Sequence, residues 1–322
     1  MNLNSQAVSI AERIAARAQR LRANLAIDPS GATIIDLGIN TLGSLEAGLL
    51  LAETCLAGLG QVTLAPADSA VWRGPAVCVF TDHPAAACMA SQYAGWQLSE
   101  AKFFAMGSGP MRAAAGREAI FDRIGHRETA ERVVGVLEAR TLPPLGVIQQ
   151  IAAACRVSPR DVTLLVAPTA SIAGTIQIVA RSVETALHKL TELGFDVGQI
   201  VSACGSAPLP PVAASDLAAI GRTNDAILYG AEVTLWLQGG DDAELIRVGA
   251  QVPSSASRDY GEPFEQIFER YHRKFYDIDP HLFSPAVVTL INLKSGRAHR
   301  FGRTRADVLA KSFGMSQAPD PS

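Results

Sequence analysis

The sequence has little that would place it in a membrane or direct it out of the cell. Its 322 residues contain no run of about 18 uncharged apolar residues, the length that a membrane-spanning helix needs. Residues 1–4 are not a charged segment leading into an apolar run, as they would be in a signal peptide. We therefore expect a cytoplasmic protein without a membrane partner.

Cysteine is scarce, and the five residues present are odd in number. No two of them have the C-x-x-C spacing of a metal or redox site, and each lies among apolar residues, as in the string AVCVF at 76–80. We therefore expect free thiols that pack as small hydrophobic residues, and no disulfide. The five are Cys55, Cys78, Cys88, Cys155 and Cys204.

Neither sign of charge dominates, and several common catalytic motifs are missing. The formal net charge is −3, so no basic surface suggests a nucleic-acid partner. Gly107 and Gly109 are followed by Arg112 where a dinucleotide-binding fingerprint needs glycine, and neither a phosphate-binding P-loop nor a G-x-S-x-G elbow occurs. The six histidines form no H-E-x-x-H motif. Acid–base chemistry without a metal remains.

Short β-branched runs alternate with Ala- and Leu-rich stretches, which predicts an α/β protein of mixed layers. The predicted strands are residues 32–39, 61–66, 76–82, 102–106, 132–139, 161–168, 199–205, 232–238 and 286–293. The predicted helices are residues 44–59, 111–124, 144–155, 172–193 and 263–275, after a first helix near residues 7–25.

Chain length and a faint internal echo suggest two lobes with a cleft between them. VTLAP at 62–66 precedes GSGP at 107–110, and VTLLVAP at 162–168 precedes GSAP at 205–208. Two lobes of related topology would produce this echo, and so would chance matching of short strings. Because Pro143 and Pro144 disfavour helix, we predict a first lobe at 1–142 and a second at 143–322. A return of the C-terminal strands to the first lobe is also compatible with the sequence.

One predicted helix has polar residues at a regular spacing. Over residues 175–193, apolar side chains share one face, while Gln177, Arg181, Glu184 and His188 form a nearly opposite stripe. Arg181 and Glu184 are three positions apart and therefore neighbours. From the residues alone, the stripe is a solvated face with a surface ion pair worth roughly a few tenths of a kcal/mol.

Five segments resemble the methenyltetrahydromethanopterin cyclohydrolase family. They are ASQYAGW at 90–96, FFAMGSGP at 103–110, ARSVETALHK at 180–189, GRTNDAILYG at 221–230 and LFSPA at 282–286. Their order and spacing agree with the family across nearly the whole chain. The similarity is greatest to the branch found in formaldehyde-oxidising bacteria.

This resemblance implies a hydrolase that opens the cyclic amidinium of methenyltetrahydromethanopterin to its formyl form. Tetrahydromethanopterin, or its dephospho form, is then the carrier of the substrate's one-carbon unit. The resemblance implies no permanently bound cofactor or metal. It also implies a homotrimer, as family members are. The alternatives are a related pterin or folate amidine hydrolase and a non-catalytic pterin carrier. Retention of both Arg181 and Glu184 argues against the carrier.

The resemblance also assigns roles to residues. Glu184 is expected to accept the proton of the attacking water, and Arg181 to keep that carboxylate ionised and oriented. The edge of the pterin is expected to meet the donors and acceptors of Arg222, Asn224 and Asp225. The alternative for these residues is a helix cap or a buried network.

Two further sets of residues are substrate-binding candidates. The first set offers amide and aromatic groups suited to a flat heterocycle, and it consists of Gln92, Tyr93 and Trp96. The alternative is packing at an interface. The second set offers backbone N–H groups that can donate to a carbonyl or phosphate oxygen, and it consists of Gly107, Ser108 and Gly109. The alternative is a plain tight turn.

Activity is expected to survive treatment with EDTA and with dithiothreitol, because the expected chemistry needs neither a metal nor a disulfide. The measurement is the hydrolysis rate before and after each treatment. A loss of activity that added zinc restores would contradict the metal-free mechanism.

Overall fold

Two six-stranded sheets, each mixing parallel and antiparallel pairs, form the framework of the computed structural model, which describes residues 2–314. The first sheet has the strand order β1-β2-β8-β7-β6-β5, and the second has the order β12-β11-β10-β9-β4-β3. In chain order the strands are β1 Asn24–Ile27, β2 Thr33–Asp36, β3 Gly60–Pro66, β4 Pro75–Thr81, β5 Trp96–Glu100, β6 Phe103–Ser108, β7 Val133–Ala139, β8 Val162–Ala167, β9 Ile200–Pro208, β10 Glu232–Leu237, β11 Val287–Asn292 and β12 Arg297–Gly302.

Helices cover one face of the second sheet and both faces of the first. They are α1 Leu3–Ala16, α2 Ala18–Leu21, α3 Leu45–Cys55, a π-helix at Ala85–Gln92, α4 Met111–Ala115, α5 Ile120–Ile124, α6 Leu145–Cys155, α7 Ile172–Val179, α8 Ser182–Glu192, α9 Asp216–Gly230, α10 Asp242–Gly249, α11 Phe264–Arg270 and α12 Ala306–Ser312. Short 3₁₀ turns lie between some of these elements. No helix within residues 2–314 is both long and apolar enough to cross a membrane.

The α/β prediction is confirmed, and each predicted strand overlaps an observed one. Strands β1, β5 and β12 were not predicted. Each lies at the edge of a sheet, where one side of the strand has no neighbour and polar residues are tolerated. β12 shows the reason most clearly, since it contains two arginines and a histidine and is largely exposed. Such a strand lacks the apolar alternation on which sequence prediction depends.

Several predicted helices have different bounds. The helix predicted over 111–124 is two short helices, because Gly116 adopts φ +58° and ends α4. The helix predicted over 172–193 is α7 followed by α8. The π-helix, α9, α10 and α12 were not predicted, and α9 contains Arg222, Asn224 and Asp225.

The chain passes three times between the two sheets. It builds β1 and β2 in the first sheet, β3 and β4 in the second, β5 to β8 in the first, and β9 to β12 in the second. The predicted division between residues 142 and 143 does not separate the sheets, since β3 and β4 precede it while β8 follows it. The echoing strings also fall on unlike strands, because β3 is an edge strand and β8 a central one.

The helices α7 and α8 connect the hydrophobic cores of the two sheets. Ala173 near the start of α7 belongs to the core between α1, α3 and the first sheet, whereas Val183 and Leu187 of α8 belong to the core under the second sheet. A side chain on Gly48 of α3 would place its Cβ 2.9 Å from the Cβ of Ile176. The backbones of α3 and α7 therefore approach each other closely.

All five cysteine thiols are free. Cys55, Cys88 and Cys155 are buried, as predicted, while Cys78 and Cys204 are half-buried on the outer face of the second sheet.

The contact between α8 and β9 leaves no room for a side chain at Gly205. A Cβ there would lie 2.5 Å from Oγ and 3.3 Å from Cβ of Ser182. We expect Gly205→Ala to lower the free energy of unfolding by about 1–3 kcal/mol, the usual cost of overpacking. Denaturant unfolding measures this change.

The variant Ser182→Ala provides the matched test, because the Ser182 hydroxyl is buried without a hydrogen-bond partner among the described residues. Alone it should be neutral or stabilising, and combined with Gly205→Ala it should recover part of the lost stability. Equal losses in the single and double Gly205 variants would show that the hydroxyl contact is not the cause.

Candidate active site

The break between α7 and α8 places two charged residues at the amino end of α8. Arg181 has φ −86° and ψ 10°, and its carbonyl accepts the N–H of Thr185 at 2.9 Å, so α8 begins at the next residue, Ser182. Glu184 lies in the first turn of α8. The helix dipole stabilises a negative charge at this position.

The guanidinium of Arg181 connects three elements of the fold. Its Nε donates to Oε1 of Gln177 on α7 at 3.1 Å, and its Nη2 donates to Oγ of Ser108 on β6 at 3.2 Å. Its Nη1 donates to the carbonyl oxygen of Gln92, the last residue of the π-helix. Arg181 is 7% exposed. These bonds hold the buried guanidinium in one position.

The carboxylate of Glu184 is also buried, which excludes the solvated surface pair that the helical spacing suggests. Glu184 is 5% exposed, and among the described residues it forms no ion pair with Arg181, whose hydrogen bonds go elsewhere. Burial raises the pKa of Glu184, while the positive charges of Arg181, His188 and Arg112 act to lower it. Arg181 therefore influences this carboxylate through its field and not by direct contact.

The π-helix was absent from the prediction, although it ends at one predicted binding residue, Gln92, and is followed by another, Tyr93. Such helices are rare and frequently occur at functional sites. Gln92 is fully buried, and its Nε2 donates to the carbonyl of Ala180 at 3.1 Å. Its Oε1 is buried without a partner in residues 2–314. One acceptor beside the Arg181 network is therefore unsatisfied.

Tyr93, which follows the π-helix, stacks on His188 of α8. Their ring centroids are 5.0 Å apart and their planes differ by 16°. The guanidinium carbon of Arg112 lies 4.9 Å from the centroid of the Tyr93 ring. Burial, with the charge of Glu184 as the next cause, raises the pKa of Tyr93 to about 12. The phenol is therefore neutral at physiological pH.

Arg112 contacts Tyr93 and the π-helix, and it was not among the residues predicted from the sequence. It is fully buried and forms an ion pair with Glu118 through Nε and Nη2. Its Nη1 donates to the carbonyls of Met89 at 3.0 Å and Ser91 at 3.4 Å, both in the π-helix. An arginine in the otherwise apolar string MRAAA at 111–115 was the one available signal. Arg112 thus fixes the end of the π-helix that presents Gln92.

The three residues of the Gly107–Ser108–Gly109 segment have different environments. Ser108 accepts a hydrogen bond from Arg181, as described above. Gly109 adopts φ +88°, and its N–H donates to the carbonyl of Ser91 at 2.9 Å. Gly107 lies within β6, paired with Trp96 of β5. The N–H of Gly109 is therefore used inside the protein, as in the tight-turn interpretation.

The remaining binding candidates lie outside this network. Trp96 is 9% exposed and packs in the core of the first sheet, with the Arg117 guanidinium 5.7 Å from its ring centroid.

On α9, Arg222 donates to the carbonyl of Pro211 at 3.2 Å, and Asn224 donates to a carbonyl of its own helix. Asp225 is fully buried and accepts the N–H of Phe264, the first residue of α11, at 2.8 Å. Burial raises its pKa to about 7. Asp225 thus belongs to a buried contact between α9 and α11, whereas Arg222 and Asn224 bond a loop carbonyl and their own helix. The binding roles of all three residues stay predictions.

Two surface grooves lie away from this network. One groove lies on the outer face of the second sheet between Phe80, Trp236 and Leu293, and the other lies near His83 and His126. Neither is lined by Arg181 or Glu184. Within the described range, no three His, Cys, Asp or Glu side chains come together as metal ligands.

Comparison with known proteins identifies a family that covers the chain. Residues 2–313 match the model of the Cyclohydrolase (MCH) family. A protein of Rhodopirellula baltica named methenyltetrahydromethanopterin cyclohydrolase is 50% identical over 297 residues, which are 91% of this chain and 89% of that protein. Proteins of the same name are 46% identical in Methylobacillus flagellatus, over 89% of this chain and 88% of that protein, and 37% identical in Methanococcoides burtonii, over 98% and 99%.

The Arg112–Glu118 pair is expected to be important for stability. Arg112→Met leaves the carboxylate of Glu118 and two π-helix carbonyls without their donor, so we expect the free energy of unfolding to fall by about 3–5 kcal/mol. The matched control is Arg117→Met, which removes an exposed guanidinium nearby together with its contact to the Trp96 ring, and should change stability by no more than about 1 kcal/mol. Denaturant unfolding of both variants gives the comparison, and equal small losses would contradict this account.

Proposed function

The chain belongs to the cyclohydrolase family, and from this membership we propose that it hydrolyses 5,10-methenyltetrahydromethanopterin to the 5-formyl compound. The identity to proteins of that name over most of both chains supports this activity. The pterin is the substrate and carries the one-carbon unit.

The chemistry of this reaction requires a base and a defined water position. The substrate is a cyclic amidinium cation whose single carbon bridges two nitrogens. Water adds to that carbon and loses a proton, after which one C–N bond opens and a formyl group remains. Because the electrophile already carries a positive charge, the essential protein group is a carboxylate that accepts the proton and complements the cation.

The observation that carries the proposal is the buried carboxylate of Glu184. It lies in the first turn of α8 and forms no ion pair with Arg181 among the described residues, and burial raises its pKa. A carboxylate that is not consumed by an ion pair and has a raised pKa is a stronger base than an exposed one. We assign Glu184 as the general base.

Arg181 is the positioning partner in this scheme. Its guanidinium is held by Gln177, Ser108 and the carbonyl of Gln92. From that position its charge opposes protonation of Glu184. Gln92 and Tyr93 border the same region and are the strongest candidates for contacts with the pterin.

The remaining assignments rest on the family. We propose a homotrimer in the cytoplasm that acts in formaldehyde oxidation, as in the bacterial branch that the sequence resembles. The five free thiols support a reducing compartment.

The expected result for Glu184→Gln is a fall in kcat of about 10²–10⁴-fold, the usual value of general-base assistance. The amide keeps the shape of the side chain, so KM should change less. The assay is the loss of the near-ultraviolet absorbance of the methenyl substrate. A carrier would change that absorbance only in proportion to the protein added, whereas an enzyme removes it catalytically.

The pH profile provides a second readout. The base must be ionised, and because burial raises the pKa of Glu184, kcat should fall as pH decreases through a value above the ordinary range of glutamate. This acid limb should be absent in Glu184→Gln. Arg181→Ala should also lower kcat, and the double variant should lose less than the product of the two effects. Near-normal turnover of Glu184→Gln over a broad pH range would exclude Glu184 as the base.

A further inference from the structure

The proposed reaction releases one proton in every turnover. The amidinium cation and neutral water give a neutral formyl amide, a neutral amine and one proton. A C–O bond forms as the water gives its first proton to Glu184, and that proton passes to the nitrogen whose C–N bond breaks. The hydroxyl proton is released as the carbonyl forms, again with Glu184 as the nearest acceptor. Glu184 must then lose this proton to water before the next cycle.

Glu184 has little direct access to water, because the residue is only 5% exposed. The charged groups that act on it are Arg181, His188 and Arg112. An arginine does not give up its proton in a protein, so neither guanidinium can take part in transfer. Imidazole exchanges protons with water near neutral pH. His188 is therefore the neighbour whose chemistry suits the task.

The position of His188 connects the buried carboxylate with the surface. It lies one helical turn after Glu184 on α8, so the two side chains are neighbours. Its side chain is 26% exposed, and its Nε2 lies 4.0 Å from Oε1 of Glu192, whose side chain is 49% exposed. The ring of Tyr93 stacks on the imidazole and restricts its orientation. Tyr93 itself has a pKa of about 12 and does not exchange protons at neutral pH.

We propose that His188 is the proton-relay residue that returns Glu184 to its ionised form by transferring the released proton to water at the rim formed by Tyr93 and Glu192. This inference rests on the proposed function. His188 acts through Glu184 and needs no contact with the substrate. In the reverse direction, ring closure, the same path would deliver the proton that is consumed.

The test compares two replacements of His188 in the full-length protein. His188→Ala removes the imidazole and leaves space, while His188→Phe keeps a ring to stack on Tyr93 but cannot carry a proton. We expect kcat in dilute buffer to fall by about tenfold or more in both variants. KM should be nearly unchanged in His188→Phe, which keeps the stack on Tyr93. Added imidazole should restore much of the rate of His188→Ala, and kcat of both variants should rise with buffer concentration.

The controls separate the relay from a packing role and from the function itself. His126→Gln, which removes an exposed imidazole elsewhere, should leave kcat and its buffer dependence unchanged. If His188→Phe has full activity, or if His188→Ala responds to neither imidazole nor buffer, the relay is wrong and His188 only packs on Tyr93. If the wild-type protein does not hydrolyse the substrate, the proposed function fails instead. Melting temperatures of both variants close to that of the wild type establish that they fold.

Discussion

The hydrogen bonding of one buried guanidinium determines how the candidate site is assembled. A buried charge is costly unless its hydrogen bonds are satisfied, and Arg181 satisfies them with a side chain of α7, a hydroxyl of β6 and a carbonyl of the π-helix. Gln92 and Ser108 lie 89 and 73 residues away from Arg181 in the chain, whereas Gln177 is only 4 residues away. Because the guanidinium needs all three, each element is held in a defined position relative to the start of α8.

Arg181 and Glu184 have different roles in this arrangement: Arg181 holds the surrounding elements, and Glu184 stays available as a base. If Arg181 formed a direct ion pair with Glu184, the carboxylate would be a weaker base, since a close positive charge favours its ionised form. In the structure the donors of Arg181 are used elsewhere, and burial is the dominant effect on Glu184, whose pKa is raised. Arg112 also acts on Glu184 through its charge, with a smaller effect than Arg181, and its donors are used by Glu118 and by the π-helix.

The site lies at the break between α7 and α8. The start of α7 packs against α3 in a core of the first sheet, while Ile176 and Val179 of α7 already pack with α8 in the core under the second sheet. The helix is interrupted at Ala180 and Arg181, and the next turn therefore begins at a helix amino end, where a carboxylate is favoured.

The sequence by itself determined the α/β class, the central strands and the family, because apolar periodicity and distinctive strings such as ARSVETALHK are local properties. It also placed Arg181, Glu184, Gln92 and Ser108 among the candidates. Only the tertiary structure decided that the Arg181–Glu184 stripe is buried, that Arg181 contacts the π-helix instead of Glu184, and that Asp225 holds the start of α11. A helical spacing shows which residues are neighbours on one helix, but whether that face meets water or another element depends on contacts between residues distant in the chain.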